Sequence, residues 1–122
     1  MEIIVHKCAD GGVLYEFYRE EGFGQLAVRT ILPGMTAGSH RHPTTNEIWF
    51  FFRGTGMVYL EYANHIREMR WIDTSKGPIM IPLPAGTGHD VKNIGEDELM
   101  FIFFADRVYH PETHDKEPWS FG

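Results

Sequence analysis

The chain has one cysteine, Cys8, so it cannot form an internal disulfide, and a reducing compartment is the simpler expectation. It also lacks a long apolar run. The longest, Leu99 to Ala105, is far too short to span a bilayer, and the opening MEIIVHKCADGG has no secretory apolar stretch. A cytoplasmic protein with no membrane partner is therefore predicted. Cationic excess is missing as well: 11 Lys and Arg face 17 Asp and Glu, for a net charge of -6. Phosphate-backbone binding needs a basic stripe, so nucleic acid is excluded as a partner. No stretch shows sustained helical periodicity, an internal repeat or low complexity.

What the chain does have favours strands. Hydrophobic residues make up 43% and charged residues 23% of 122 residues, the composition of an ordinary globular chain with one core. Aromatic residues reach 14%, and the 13 Gly and 7 Pro are spread between short apolar runs instead of forming a linker. One all-β domain over residues 1–122 is predicted, with a barrel core at about 13–105 and an irregular tail at 106–122. That tail is expected to wrap the barrel or a partner subunit.

Alternation and turn signals place the strands. Val13 to Arg19 puts Val13, Tyr15 and Phe17 on one face. Gly24 to Leu32 opposes apolar Leu26 and Val28 to a mixed face of Gln25, Ala27 and Arg29. Glu47 to Phe52 sets Trp49 and Phe51 on the carboxylate's side. Met57 to Tyr62 sets Met57, Tyr59 and Glu61 against Val58 and Leu60. Arg67 to Ile72 reads as an exposed polar strand, Ile79 to Ile81 as a short buried one, and Glu98 to Ala105, apolar on both faces, as central.

The stretch from Gly34 to Gly54, GMTAGSHRHPTTNEIWFFFRG, carries the chemistry. On one strand, the period of two puts His40 and His42 on the same face. The Pro43-Thr44-Thr45-Asn46 turn then reverses the chain and brings Glu47 beside them. Imidazoles and a carboxylate converging from neighbouring strands form a metal-site constellation, and His89 is the further ligand offered downstream. Open coordination positions would mark a working site, as opposed to a structural one. The donors suit a divalent transition metal, Zn, Fe, Mn or Ni, without choosing among them. The same residues could also line a sugar pocket that holds no metal.

Gly34, His40, His42, Glu47 and Gly54 fit the first cupin motif at every position, and Pro84, Gly86, His89 and Asn93 fit the core of the second. The chain thus resembles a cupin, which implies a jelly-roll β-barrel closed on itself with His40, His42, Glu47 and His89 pointing inward. Six residues separate Gly77 from Pro84 where the motif has five, a departure that bears on the preceding turn and not on the ligand.

Other residues have weaker signals, each weighed against a structural role. Tyr59, read as inward, is a candidate proton carrier or a packing residue. Arg29 and Gln25 are candidate substrate-binding residues or ordinary strand residues. Asn93 shares His89's face and is expected to support it from a second shell or to hold the turn. Trp49 reads as core. His65, His110 and His114 read as solvated loop residues.

Three stretches narrow the resemblance. GFGQLAVRTILPGMTAGSHRH, the turn TTNE and PLPAGTGHDVKNIGEDELMFIFFADRVYHPE are similar to the C-terminal cupin domain of capsular-polysaccharide UDP-sugar reductase/epimerases. That resemblance implies a metal and epimerisation at C3 of a 4-keto nucleotide sugar, in surface-polysaccharide biosynthesis. With no reductase domain ahead of this cupin, that partner activity is expected to lie elsewhere or to be absent. The leading expectation is a metal-assisted epimerase or isomerase of an activated sugar. A non-haem metal dioxygenase and a non-catalytic sugar-binding module are the alternatives. A homodimer is expected, because small cupins pair and symmetric dimers are the commonest oligomers.

Overall fold

Glycine- and proline-bearing turns cut the chain into short strands that pass back and forth between two sheets. The computed structural model describes residues 2–113 and 115–121. In chain order the strands are β1 (Ile4–Lys7), β2 (Val13–Glu20), β3 (Gly24–Ile31), β4 (Thr36–Arg41), β5 (Glu47–Arg53), β6 (Thr55–Glu61), β7 (Arg67–Asp73), β8 (Ile79–Leu83), β9 (Gly88–Asn93), β10 (Leu99–Ala105) and β11 (Glu117–Pro118). All pairings are antiparallel, in the orders β1-β2-β3-β10-β5-β8 and β11-β4-β9-β6-β7. The chain changes sheet between β3 and β4, β4 and β5, and β5 and β6, which is the zigzag of a jelly roll.

The expected all-β jelly roll is therefore present, with one correction. The two sheets face each other without closing into a continuous barrel, so β1, β8, β11 and β7 remain edges. The break beside β7 falls where the 3-10 turn Thr74–Lys76 leads to Gly77, the region of the extra residue before Pro84.

One end of the space between the sheets is filled by apolar side chains. Ile31, Phe51, Val58, Leu60, Ile72, Ile81 and Leu99 are fully buried there, each worth roughly 1.5–3 kcal/mol of transfer free energy. Trp49 and Phe51 share Glu47's face of β5, as alternation requires. Strand β10 is central, between β3 and β5. Strand β7, read as wholly exposed, gives Ile72 to the core.

One face assignment reverses, that of Tyr59, and on two other strands the structure decides which face is inward. On β3 the buried side belongs to Gln25 and Ala27, while Leu26 and Val28 lie half-buried on the outside. On β2, Glu16 is buried, while Tyr15 and Phe17 are exposed. On β6 the core side belongs to Val58 and Leu60, so Tyr59 points outward. On β2 and β3 the apolar side points outward because the outer face of the six-stranded sheet is itself apolar. Tyr15, Ile48, Phe50, Phe52, Met80 and Phe104 are all at least 36% exposed there. An apolar alternation consequently does not identify the interior of this protein.

The tail is more regular than expected. It adds the 3-10 turn Pro111–Thr113 and the short β11, which pairs with β4. Beyond β11, Trp119 lies over β9 at Gly88, where any Cβ would run into the indole ring. Trp119 is 8% exposed, and its Nε1–H donates to Glu61 Oε2 at 3.3 Å.

Candidate functional site

A β-bulge builds the histidine site. Ala37 pairs with Val91 and Gly38 with Asp90, but the next partner of His89 is His40, so Ser39 is the extra residue. Simple alternation from buried Ala37 would turn Ser39 inward and His40 outward; the bulge exchanges them. The local sequence permits it. Gly38 has φ 103°, and a Cβ there would lie 2.6 Å from the His89 carbonyl oxygen. Ser39 takes φ 66° and donates from Oγ to Asp90 Oδ1 at 2.5 Å. His40 and His89 thus meet edge-on, with ring centroids 4.6 Å apart.

His42 follows the end of β4, and the Pro43–Asn46 turn leads into Glu47 as expected. Glu47 Oε2 lies 3.4 Å from His42 Nε2. One ring nitrogen from each of His40, His42 and His89 falls within 4.8 Å of the others. Glu47 adjoins this trio through His42, and its Oε1 accepts the Trp49 Nε1–H at 3.3 Å.

Two backbone carbonyls set the tautomers. His89 Nδ1 lies 3.1 Å from Thr87 O, and His42 Nδ1 lies 2.7 Å from Asp115 O. A carbonyl can only accept, so each Nδ1 carries a proton, and His89, held neutral by burial, keeps its lone pair on Nε2. Burial, joined by the neighbouring imidazoles and Lys116, pushes the His40 pKa down to about 3. Burial likewise takes His89 to about 4, against the opposing Thr87 hydrogen bond. Both rings are neutral and ligand-competent at pH 7. Burial raises the Glu47 carboxyl, with His42 and the Trp49 N–H acting in the opposite sense. Three converging imidazoles, two of them held neutral, and an adjacent carboxylate are a donor set that fits a divalent transition metal.

The histidines open into a cavity of about 490 Å³ between the sheets, large enough for a small organic ligand. Gln25 lies on its wall, 6% exposed, donating to Glu16 Oε2 at 2.7 Å and accepting the Tyr109 N–H at 2.5 Å. Arg29 also lines the cavity, but its guanidinium is held by Asp10 at 2.5 Å and by the Thr30 carbonyl at 2.7 Å. Tyr59 is not among the lining residues; its ring packs 5.1 Å from Phe121 on the outside of β6. It therefore cannot carry a proton within this cavity.

Asn93 does not support His89. Its amide donates to the carbonyls of Ile31 and Asp97, both at 2.8 Å, and its oxygen accepts the Gly95 N–H at 2.9 Å. It fixes the turn after β9, the second of the two roles expected of it, and the carbonyls of Thr87 and Asp115 orient the imidazoles. Trp49 is core, 4% exposed, between Phe101 and His89. His65 is an exposed turn residue with φ 68°. His110, read as solvated, instead pairs with Glu21 at 2.5 Å, and His114 lies outside the described residues.

Sequence reasoning missed Glu16, Arg107, Tyr109, Asp115 and Lys116. All but Asp115 line the cavity, and Asp115 holds the turn before Glu47 by accepting the Thr44 N–H at 2.8 Å and the Thr45 hydroxyl. Four of the five come from beyond β10, where no periodicity announces an inward residue. Arg107 and Lys116 bring positive charge to the cavity of an acidic protein. Arg107 donates to Thr44 Oγ1 at 3.3 Å, and Lys116 sits 6.0 Å from the Tyr109 ring.

Comparison with known proteins agrees with this architecture. The chain is 27% identical over 129 residues to the spore coat polysaccharide biosynthesis protein SpsL of Bacillus subtilis, spanning 91% of this chain and 82% of that protein. It is 26% identical over 114 residues to the UDP-2-acetamido-2,6-beta-L-arabino-hexul-4-ose reductase of Pseudomonas aeruginosa, spanning 91% of this chain but 30% of the reductase. Among solved structures, the capsular polysaccharide assembling protein CapF from Staphylococcus aureus superposes with a TM-score of 0.86 at 22% identity, over 98% of this chain and 34% of CapF. The fold is the cupin jelly roll. Among the described residues, no helix is long and apolar enough to cross a membrane. The polysaccharide biosynthesis C-terminal domain model matches residues 7–117, and the chain belongs to that family.

Proposed function

We propose that this protein is a metal-assisted epimerase or isomerase of an activated keto sugar, working in surface-polysaccharide biosynthesis. The observation that carries the reading is the convergence of His40, His42 and His89, with Glu47 beside them, on a cavity that also presents Arg107 and Lys116. The polysaccharide-related names of its relatives support the substrate class.

In this reading His40, His42, His89 and Glu47 hold a divalent transition metal. When bound, such an ion supplies Lewis acidity toward a carbonyl oxygen and so acidifies the neighbouring C–H. The side chains do the remaining work. Arg107 and Lys116 attract the diphosphate of the nucleotide. Apolar Val91, Phe101 and Phe103 exclude water from the sugar ring. Among the described residues Tyr109 is the one tyrosine on the cavity wall, its ring 6.0 Å from that of His42. Its hydroxyl takes the role first expected of Tyr59, carrying a proton to or from the carbon beside the ketone. The proton taken from one face leaves to solvent water, and delivery of another from Tyr109 on the opposite face inverts that carbon.

The test is incubation with UDP- and dTDP-4-keto hexoses in deuterated water. Label should enter C3 or C5, and the exchange should be lost after chelation and in His40→Ala. No exchange across the panel would refute catalysis; binding without exchange would make the protein a sugar-binding module instead.

We also propose that the protein is a homodimer formed through the outer face of the six-stranded sheet. With large side chains at roughly 200 Å² each, the exposed fractions of Tyr15, Ile48, Phe50, Phe52, Met80 and Phe104 leave on the order of 500 Å² of apolar surface. That is much of the ~800 Å² that a standard interface covers on each partner, and a two-fold axis through one patch closes the assembly.

A further inference from the structure

Glu16 is an acid that the proposed reaction does not use. It is 4% exposed on the inner side of β2, opposite fully buried Ala27, and it lines the cavity. Its Oε2 accepts the Gln25 amide at 2.7 Å. Its Oε1 is buried and has no protein hydrogen-bond donor; Arg19 Nη1 stands 3.6 Å away, beyond hydrogen-bond reach. A buried acceptor without a donor is destabilising, and a carboxylate more so than a neutral group. Fold stability alone would favour an apolar residue beside Ala27.

The surroundings hold this carboxylate in place. Gln25 is fixed at both ends, because its Oε1 accepts the Tyr109 N–H at 2.5 Å, which commits its amide to Glu16. A bulge between Glu16 and Tyr18 advances the register of β2, so that Arg19 pairs with Gln25. Regular pairing would have put Tyr18 there. The bulge thus gathers Glu16, Arg19 and Gln25 on one stretch of cavity wall.

We propose that Glu16 Oε1 is the acceptor for a hydrogen-bond donor on the ligand, a ring hydroxyl or acylamino N–H of the hexose, with Gln25 and Arg19 orienting the carboxylate. This rests on the reading that the cavity takes an activated sugar. Oε1 offers an acceptor, which leaves a carbonyl or a deoxygenated carbon at that position without a partner and so rejects both. It also repels the diphosphate, which leaves the anionic end to Arg107 and Lys116 and fixes which way round the sugar nucleotide lies.

The test is calorimetric titration of the intact chain with UDP-glucose, UDP-N-acetylglucosamine and a set of monodeoxy UDP-glucoses. One deoxy analogue should bind the wild-type protein roughly 10- to 100-fold more weakly than its parent. Glu16→Leu should lose a similar factor on the parent and no longer distinguish that analogue, and Glu16→Gln should lose about tenfold. Metal content should be unchanged in both variants, and should Glu16→Leu not fold, the isosteric Gln variant carries the test. Parent affinity unchanged in the variants, with solvent exchange intact, would overturn the Glu16 assignment alone. Failure of every nucleotide sugar to bind would overturn both it and the activated-sugar reading. Glu16-dependent binding without exchange would uphold this assignment and refute only the catalytic one.

Discussion

Gly38→Ala tests whether the β4 bulge assembles the histidine site. Gly38 has φ 103°, and an added Cβ would lie 2.6 Å from His89 O and 3.3 Å from Asp90 Cα, both backbone atoms that cannot swing aside. Left-handed backbone costs an L residue about 1–2 kcal/mol, and forcing an extra methyl into a packed site costs about 1–3 kcal/mol more. At an unfolding entropy near 2.1 cal/mol/K per residue, that loss lowers Tm by roughly 8–20 °C for a chain of this length. Gly34→Ala is the control, since Gly34 has φ 79° and nothing lies within 4 Å of its Cβ. It should show only the backbone part, roughly 4–8 °C. Because the clash falls on the His89 backbone, Gly38→Ala should also bind divalent metal more weakly, whereas Gly34→Ala should not. Calorimetry of both variants, with and without added Zn(II), reads both quantities. Equal melting of the two variants with equal metal affinity would refute the role assigned to the bulge.

Phe50 sits between Ile102 and Met80 at the middle of the exposed apolar face, so Phe50→Glu should yield monomers in sedimentation with little change in the monomer's core. A monomeric wild-type protein, or an unchanged dimer in the variant, would count against the proposed interface. The Asp10–Arg29 pair predicts a pH dependence. Burial pushes the Asp10 carboxyl up, but the Arg29 and Gly12 hydrogen bonds and the guanidinium charge together outweigh it and hold the group below 3.8. A depressed folded-state pKa gives stability that is present above the ordinary value and lost as pH falls through the folded value. Asp10→Asn should therefore be roughly 1–3 kcal/mol less stable at pH 7, with the gap shrinking below about pH 4. A urea-denaturation gap that stays constant to pH 3 would refute this.

The convergence of His40, His42 and Glu47 was legible in the sequence because its spacing combines two local rules. A turn of Pro, Thr and Asn reverses the chain at a known place, and β5 alternates regularly, so Glu47, Trp49 and Phe51 fall on one face. The bulge was not legible. The correct inward direction of His40 was reached from pairing it with His42, without the inserted Ser39 that makes it true. Which face of β2 and β3 turns inward was not legible either, for a different reason. An apolar residue on a strand reports burial only when the other face is wet, and here Tyr15, Phe17, Leu26 and Val28 lie on an apolar outer surface. The inward residues of those strands, Glu16 and Gln25, are polar because they face a cavity.

Asp115 shows why the tail eluded the same rules. Its backbone carbonyl accepts from His42 Nδ1, and its carboxylate accepts from the Thr44 backbone and the Thr45 hydroxyl. One residue thus sets the tautomer of one imidazole and holds the turn that delivers Glu47. Neither interaction has a periodicity, and each joins positions about seventy residues apart. Because the carbonyl is main-chain, any residue at 115 could fix the tautomer, whereas only a short acceptor side chain could also hold the turn. Local alternation can place donors on a face. Fixing their protons and closing their geometry falls to a segment that looks like disorder when read in isolation.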